Sequence, residues 1–224
     1  ERRIWLRDYR RTYLERDVRS LAQVGDLAAF RKVFRTLAAR PGGILNLSDI
    51  ARDVALSLDT VRRYVGILEA SFSIVRLPAW RKGRTARLVK SPKIYVVDSG
   101  FAAFCNGLED PATAPRAREW GAILESYVFQ NLRASLATWL PDADLYYWRE
   151  HGRHEVDFVV QSGKQLLPIE VKWTSRWTNK DLSGLRRFLD VNPQCKAGIL
   201  ACRASRFASL GDGLFAVPLG LLLR

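Results

Sequence analysis

Hydrophobic positions recur at helical spacing through the first half of the chain and at strand spacing through much of the second. Between residues 7 and 24, Leu6, Tyr13, Leu14, Val18 and Leu21 fall near one face of a helix. From Asp26 to Ala39 the same repeat brings Leu27, Phe30, Val33, Phe34 and Leu37 together, and the "RPGG" of Arg40–Gly43 ends that helix. In "NLSDIARDVALSLDTVRRYVGILEA", Ser48 is placed to cap a short helix holding Ile50, Ala51 and Val54. Leu56–Leu58 make a tight connection. Asp59 or Ser57 caps a second helix with Val61, Val65 and Leu68 inside, which is helix-turn-helix spacing. Two strand-like runs, Ser73–Trp80 and Ala86–Val97, joined by "RKGRT", predict a hairpin, and the combination predicts a winged helix.

The stretch "NGLEDPATAPRAR", residues 106–118, has no apolar periodicity and carries two prolines and a glycine, so it reads as a linker. Beyond it Trp120, Ile123, Leu124, Tyr127, Val128, Asn131 and Leu132 mark an amphipathic helix, with Glu125 beside the stripe. "DLYYWRE", "HEVDFVV" and "QLLPIEVKW" read as consecutive strands, the last two joined as a hairpin through "QSGK". A helix over Asn179–Asp190, a strand over Ala197–Arg203 and a closing apolar run follow. The predicted class is α/β, or α+β for the whole chain. A helical domain (1–105), a linker (106–118) and a mixed-sheet domain (119–224) make it up.

Composition sharpens this picture in two ways. The 224 residues carry a formal charge of +13, which suits a polyanionic partner such as nucleic acid or an acidic membrane surface. The cations crowd the hairpin: Arg76, Arg81, Lys82, Arg84, Arg87, Lys90 and Lys93, with no acid between residues 70 and 97. A basic hairpin tip, with Arg62 and Arg63 pointing outward from the second helix of the pair, offers phosphate and base contacts. Three separated cysteines and two histidines support neither a zinc cluster nor a disulfide scaffold. Reduced cysteines, no apolar run of membrane-spanning length and no signal peptide point to a soluble cytoplasmic protein, and an opening at Glu1 suggests a piece of a longer one.

Charges inside apolar strands carry the chemistry. By simple alternation, Glu155, Asp157 and Val159 share one strand face, and Pro168, Glu170 and Lys172 share one face of the next. Across a hairpin these faces meet. Carboxylates held a few ångström apart repel, and a hard divalent cation such as Mg²⁺ or Mn²⁺ removes that cost through oxygen ligation. Lys172 beside them can hold water or stabilise charge growing on a phosphate. His154, Trp148, Trp173 and Trp177 are better explained by packing or loop positions than by chemistry.

"VD" followed by "EVK" resembles the signature of the PD-(D/E)xK nuclease superfamily, whose core runs helix, three strands, helix, strand. The resemblance implies metal ligation by Asp157 and Glu170, a water-handling role for Lys172, and an accessory ligand in Glu125 of "GAILESYV". Val156 stands where proline is common. "YLERDV", "LSDIARDVALSLDTVRRYVGILE", "SPKIYVVDSGFAAF", "GAILESYVFQNL", "EVDFVV" and "PIEVKW" together resemble the C-terminal portion of a large prokaryotic family of predicted AAA-type ATPases. The tail of that family is a domain of unknown function. No G-x-x-x-x-G-K-[ST] loop occurs, so the ATPase part lies outside this chain. The implied function is Mg²⁺-dependent cleavage of nucleic acid, DNA first, by a restriction-endonuclease-like domain with a basic winged-helix domain attached. The alternatives are an inactive nuclease fold used as a DNA-binding or regulatory module of the ATPase, and a winged-helix transcription regulator.

Overall fold

The computed structural model describes residues 24–82, 91–108, 117–150 and 154–223, with the backbone alone at 117 and 118. The helix expected over residues 7–24, the hairpin tip with Arg84, Arg87 and Lys90, and most of the 106–118 linker lie outside the described residues. The chain forms two compact units. One comprises residues 1–76 and 94–126, the other residues 77–93 and 127–224. This division falls between residues 126 and 127, inside a helix.

The first unit is helical. Helix α1 (Leu27–Ala38) begins where Asp26 accepts the Ala29 N–H, and buries Phe30, Val33, Phe34 and Leu37. Helix α2 (Leu47–Val54) is capped by Asn46, whose side chain accepts from the N–H groups of Ser48 and Asp49. The expectation that Ser48 caps it is thus two residues late: Asn46 offers the same acceptor chemistry with extended backbone, so the helix starts earlier. Ala55 closes α2 in the left-handed region (φ 55°), and Ser57, not Asp59, caps helix α3 (Leu58–Ala70). Val61, Tyr64, Val65 and Leu68 are buried, with the Tyr64 ring edge-on to Phe30 at 5.3 Å. Strands β1 (Ile74–Leu77) and β2 (Lys93–Val96) pair as a two-stranded ribbon, and helix α4 (Ser99–Cys105) stacks Phe101 on Phe34.

The ribbon is shorter than the predicted hairpin. Residues 78–80 leave it and pair instead with strand β3 (Ala143–Glu150) of the second unit: Tyr147 N–H donates to Pro78 O and Trp80 N–H to Tyr147 O. The reason is Trp80. Its indole joins the core of that unit, edge-on to Phe188 at 5.4 Å, and its N–H donates to Gln161 Oε1.

Helix α5 (Ala117–Trp139) confirms the predicted helix but not its whole stripe. Trp120, Ile123, Leu124, Val128, Phe129 and Leu132 are buried, whereas Tyr127 is 49% exposed. Its residues to 126 belong to the first unit and those from 127 to the second.

The second unit is a six-stranded mixed sheet in the order β3-β4-β5-β6-β8-β7. Strand β4 (His154–Ser162) is antiparallel to β3 and to β5 (Gln165–Val171), with Gly163 (φ 57°) in the β4–β5 turn. Strands β5, β6 (Gly198–Cys202) and β8 (Leu214–Pro218) run parallel, and β7 (Ala208–Gly211) returns antiparallel on β8. Helix α6 (Ser183–Val191) starts four residues later than the spacing suggested and lays Leu185 and Phe188 on Val156, Val159, Leu200 and Trp148. Arg187 of α6 grips Glu150 of β3 through two hydrogen bonds, at 2.7 and 3.0 Å. A one-turn helix α7 (Leu219–Leu222) follows β8. Strand β7 was not predicted; it is a four-residue, half-exposed edge without an apolar pattern.

Candidate functional site

Strict alternation fails on β4, and the failure shapes the site. Its ladder with β3 slips by one residue between Tyr146↔Val159 and Trp148↔Val156, which is a β-bulge. Val156 and Val159, three residues apart, therefore both reach the core under α6. Phe158 turns instead to stack on Phe129 of α5 at 6.2 Å. The expectation that Asp157 and Val159 simply share a face is corrected accordingly.

On the other side of β4, pairing with β5 proceeds in register to Phe158↔Ile169. The next step of that register brings Asp157 opposite Glu170. The regular ladder stops there because the Asp157 side chain takes over a backbone partner: Val171 N–H donates to Asp157 Oδ2 at 2.8 Å. Past Val171 the chain follows β6 instead, with Lys172 N–H donating to Ala201 O. Asp157 and Glu170 thus meet at the mouth of two diverging strands, 8% and 7% exposed.

The electrostatics follow from burial. Glu170 Oε1 accepts from Lys172 Nζ at 2.6 Å, while its Oε2 is buried with no hydrogen-bond partner among the described residues. Burial, and then the neighbouring Asp157 charge, push the Glu170 carboxyl well above the usual carboxylate range. For Lys172, burial pulls downward, but the carboxylates of Glu170 and Asp157 outweigh it and the net shift is upward. Lys172 is therefore an ammonium at neutral pH. It can orient a water or meet negative charge, but it has no lone pair with which to take a proton.

Two further groups complete the cluster, and sequence reasoning assigned neither to it. Lys93, at the start of β2 and only 3% exposed, lies 2.7 Å from Glu155 Oε1 and 3.6 Å from Asp157 Oδ1. Arg149 reaches the other Glu155 oxygen at 3.6 Å. Lys93 was grouped with the exposed cations of the hairpin; that is corrected, since it is buried in an ion-paired network. The available signal is its setting in "KIYV", where a lone charge opens a fully buried run.

The other expected residues are placed as follows. Glu125 accepts a hydrogen bond from the Tyr95 hydroxyl at 2.5 Å, within the first unit. Arg62 and Arg63 are exposed on α3; Arg62 pairs with Asp59, and the Arg63 guanidinium sits over the Tyr64 ring. Arg81 is exposed, while Lys82 Nζ donates to Val191 O at 3.3 Å. Trp173 is half-buried beneath the Arg203 guanidinium, 4.9 Å from the ring centre. His154 Nδ1 is buried without a partner among the described residues. Among the described residues, no group of three His, Cys, Asp or Glu is gathered closely enough to cage an ion with protein ligands alone. An ion at Asp157 and Glu170 would complete its shell with water and substrate oxygens, as Mg²⁺ commonly does. The buried, unpartnered Glu170 oxygen fits that donor set. No described helix is long and apolar enough to cross a membrane.

Comparison with known proteins supplies relatives of undetermined function. The chain is 32% identical over 219 residues to the uncharacterized proteins Mb2031c of Mycobacterium bovis and Rv2008c of Mycobacterium tuberculosis. The match takes in 98% of this chain and 48% of each relative, so the chain spans about half the length of the curated relatives it matches. A partial likeness, 30% over 109 residues, links 42% of the chain to 34% of a protein named dioxygenase tasH of Hapsidospora irregularis. A domain of unknown function, DUF8612, matches residues 1–112, and another, DUF4143, matches residues 120–222. With half of its length matched by the first and nearly all of the rest by the second, the chain belongs to the DUF8612 family and carries a DUF4143 domain behind it.

Proposed function

We propose that the second unit is a divalent-metal-dependent phosphodiesterase acting on nucleic acid, a nuclease of the PD-(D/E)xK kind. The helical unit, read as a winged helix, lends electrostatic affinity for the substrate. One observation carries the reading: Asp157 and Glu170 are buried side by side at the mouth of diverging strands, with a Glu170 oxygen unpartnered and the Lys172 ammonium alongside. Two carboxylates this close cost free energy when both are ionised, and a hard dication offsets that cost.

When bound, the ion would supply Lewis-acid polarisation of the phosphate and a more acidic water. The chain's own groups do the rest. Asp157 is held rigid by the Val171 N–H, so its other oxygen has a fixed direction. Lys172, charged, holds the attacking water in line or neutralises charge building on the phosphoryl oxygens. With a formal charge of +13, the chain draws a polyanion at long range. DNA is the proposed substrate, and Mg²⁺ or Mn²⁺ the proposed ion. By its resemblance, a longer protein containing this chain would carry an AAA-type ATPase domain, for which the uncovered half of the relatives leaves room.

The test is cleavage of plasmid and single-stranded oligonucleotides in Mg²⁺ and Mn²⁺ by the protein and by Asp157→Asn and Lys172→Met. Metal-dependent cleavage lost in both variants is expected; equal cleavage by Lys172→Met sinks the mechanism. A second reading has one observation in its favour. Lys93 already sets an ammonium against Glu155 and Asp157, as in a nuclease fold retained for binding or regulation. That reading expects nucleic-acid binding with no cleavage under any metal.

A further inference from the structure

The Lys93 ammonium has no part in the reaction proposed above, yet it is the most deeply buried charge at the site, 3% exposed. Its position is demanding. It is 2.7 Å from Glu155 Oε1, 3.6 Å from Asp157 Oδ1, and 5.8 Å from the centre of the Tyr147 ring. Asp157 Oδ2 is committed to the Val171 N–H. The oxygen left to ligate an ion, Oδ1, is the one facing Lys93.

The charges nearly cancel before any ion arrives. Among the described residues, Glu155, Asp157 and Glu170 are the acids, and Lys93, Lys172 and Arg149 lie against them. A dication entering at Asp157 would meet a cluster close to neutral, and would stand within a few ångström of the Lys93 ammonium.

We propose that Lys93 is a resident cation that competes with the divalent ion at Asp157 and so sets the metal affinity of the site. This rests on the metal-site reading above and deepens it. Lys93 is a positioning residue: it touches no substrate, and acts through the carboxylate it shares with the ion. A charge 4–6 Å from an ionisable site changes that site's affinity for a proton by about one to three powers of ten, and a dication responds at least as strongly. The same electrostatics explain how an acid cluster stays folded without metal, since the ammonium offsets the repulsion between Glu155 and Asp157.

The experiment is calorimetric titration of Mn²⁺ into the full chain without nucleic acid, for wild type, Lys93→Met, Lys93→Arg and Asp157→Asn. Lys93→Met keeps length and apolar volume and removes the charge; its Kd for Mn²⁺ is expected to fall about tenfold or more. Lys93→Arg keeps the charge and is expected to bind as wild type does. Wild-type binding that is lost in Asp157→Asn but not tightened in Lys93→Met overturns the role of Lys93 and leaves the metal site standing. No Mn²⁺ binding by either wild type or Lys93→Met overturns both. Should Lys93→Met fail to fold, Glu155→Gln carries the test. It removes the nearer of the two described acids against Lys93 and leaves the ammonium to Asp157 more fully, so Mn²⁺ binding is expected to weaken, and unchanged or tighter binding overturns the proposal.

Discussion

Replacing Asp157 in two different ways separates its structural work from its chemistry. Its Oδ2 accepts the Val171 N–H at 2.8 Å in a buried setting, at the point where the β4–β5 ladder gives way. Asp157→Ala removes that acceptor and strands a buried backbone donor. A charge-assisted hydrogen bond of this kind contributes about 1.5–3 kcal/mol, and the orphaned donor makes the upper end the better expectation. For a chain of 224 residues, about 1 kcal/mol moves the melting temperature by roughly 2–4 °C, so Asp157→Ala should lower it by about 6–12 °C. Asp157→Asn keeps a carbonyl oxygen for the Val171 N–H and loses only the charge, so its melting temperature should stay within about 3 °C of wild type. On the proposed reading, both variants should lose cleavage and lose the stabilisation that Mn²⁺ would give wild type, which at 100 times Kd is about 2.7 kcal/mol. The assay is thermal unfolding by circular dichroism with and without Mn²⁺. Equal stability of the Ala and Asn variants would refute the argument that Asp157 ties the diverging strands together.

Further consequences are equally direct. Glu170→Gln should raise the stability of the metal-free protein at neutral pH. The folded pKa of Glu170 is raised by burial, so stability is fullest below the ordinary glutamate pKa and declines as pH climbs through the raised value; an amide has no such dependence. Urea unfolding between pH 4 and pH 8 checks this, and a glutamine variant that follows the wild-type profile contradicts it. Lys172→Met should leave the unfolding midpoint within about 1 kcal/mol, since the side chain is one-third exposed, and should cut cleavage by about a hundredfold or more, read from initial rates. Gly184→Ala should destabilise by about 3 kcal/mol, measured in urea, because the added methyl would lie 2.0 Å from the Glu155 carbonyl oxygen where α6 presses on β4.

The periodicities made most of the elements legible. Asp26 to Ala38, the α2–α3 pair, α5, and strands β3 to β6 all declare themselves by spacing, because a buried helix stripe and a buried strand leave different repeats in the chain. The acids and Lys172 were legible for a related reason: a charge inside an apolar strand is costly, and so marks a place where something offsets it. What alternation could not reveal was the bulge in β4. It depends on how Tyr147 and its neighbours pair across the sheet, and one extra residue reverses the facing of everything beyond it. Lys93 escaped notice because sequence proximity grouped it with the basic hairpin, whereas β2 carries it to Glu155 and Asp157, more than sixty positions away in the chain.

The sequence by itself determined most of the helices and strands, though not α4, β7, β8 or α7, and that two acids and a lysine would stand on neighbouring strands of one hairpin. Both follow from local rules of spacing and from the cost of burying charge. Only the tertiary structure decided which oxygen of Asp157 is spent on the backbone, that Glu170 keeps one oxygen unpartnered, and that a second lysine from β2 enters the cluster. These depend on where separate strands diverge and on what fills the space between them, which spacing along the chain does not encode.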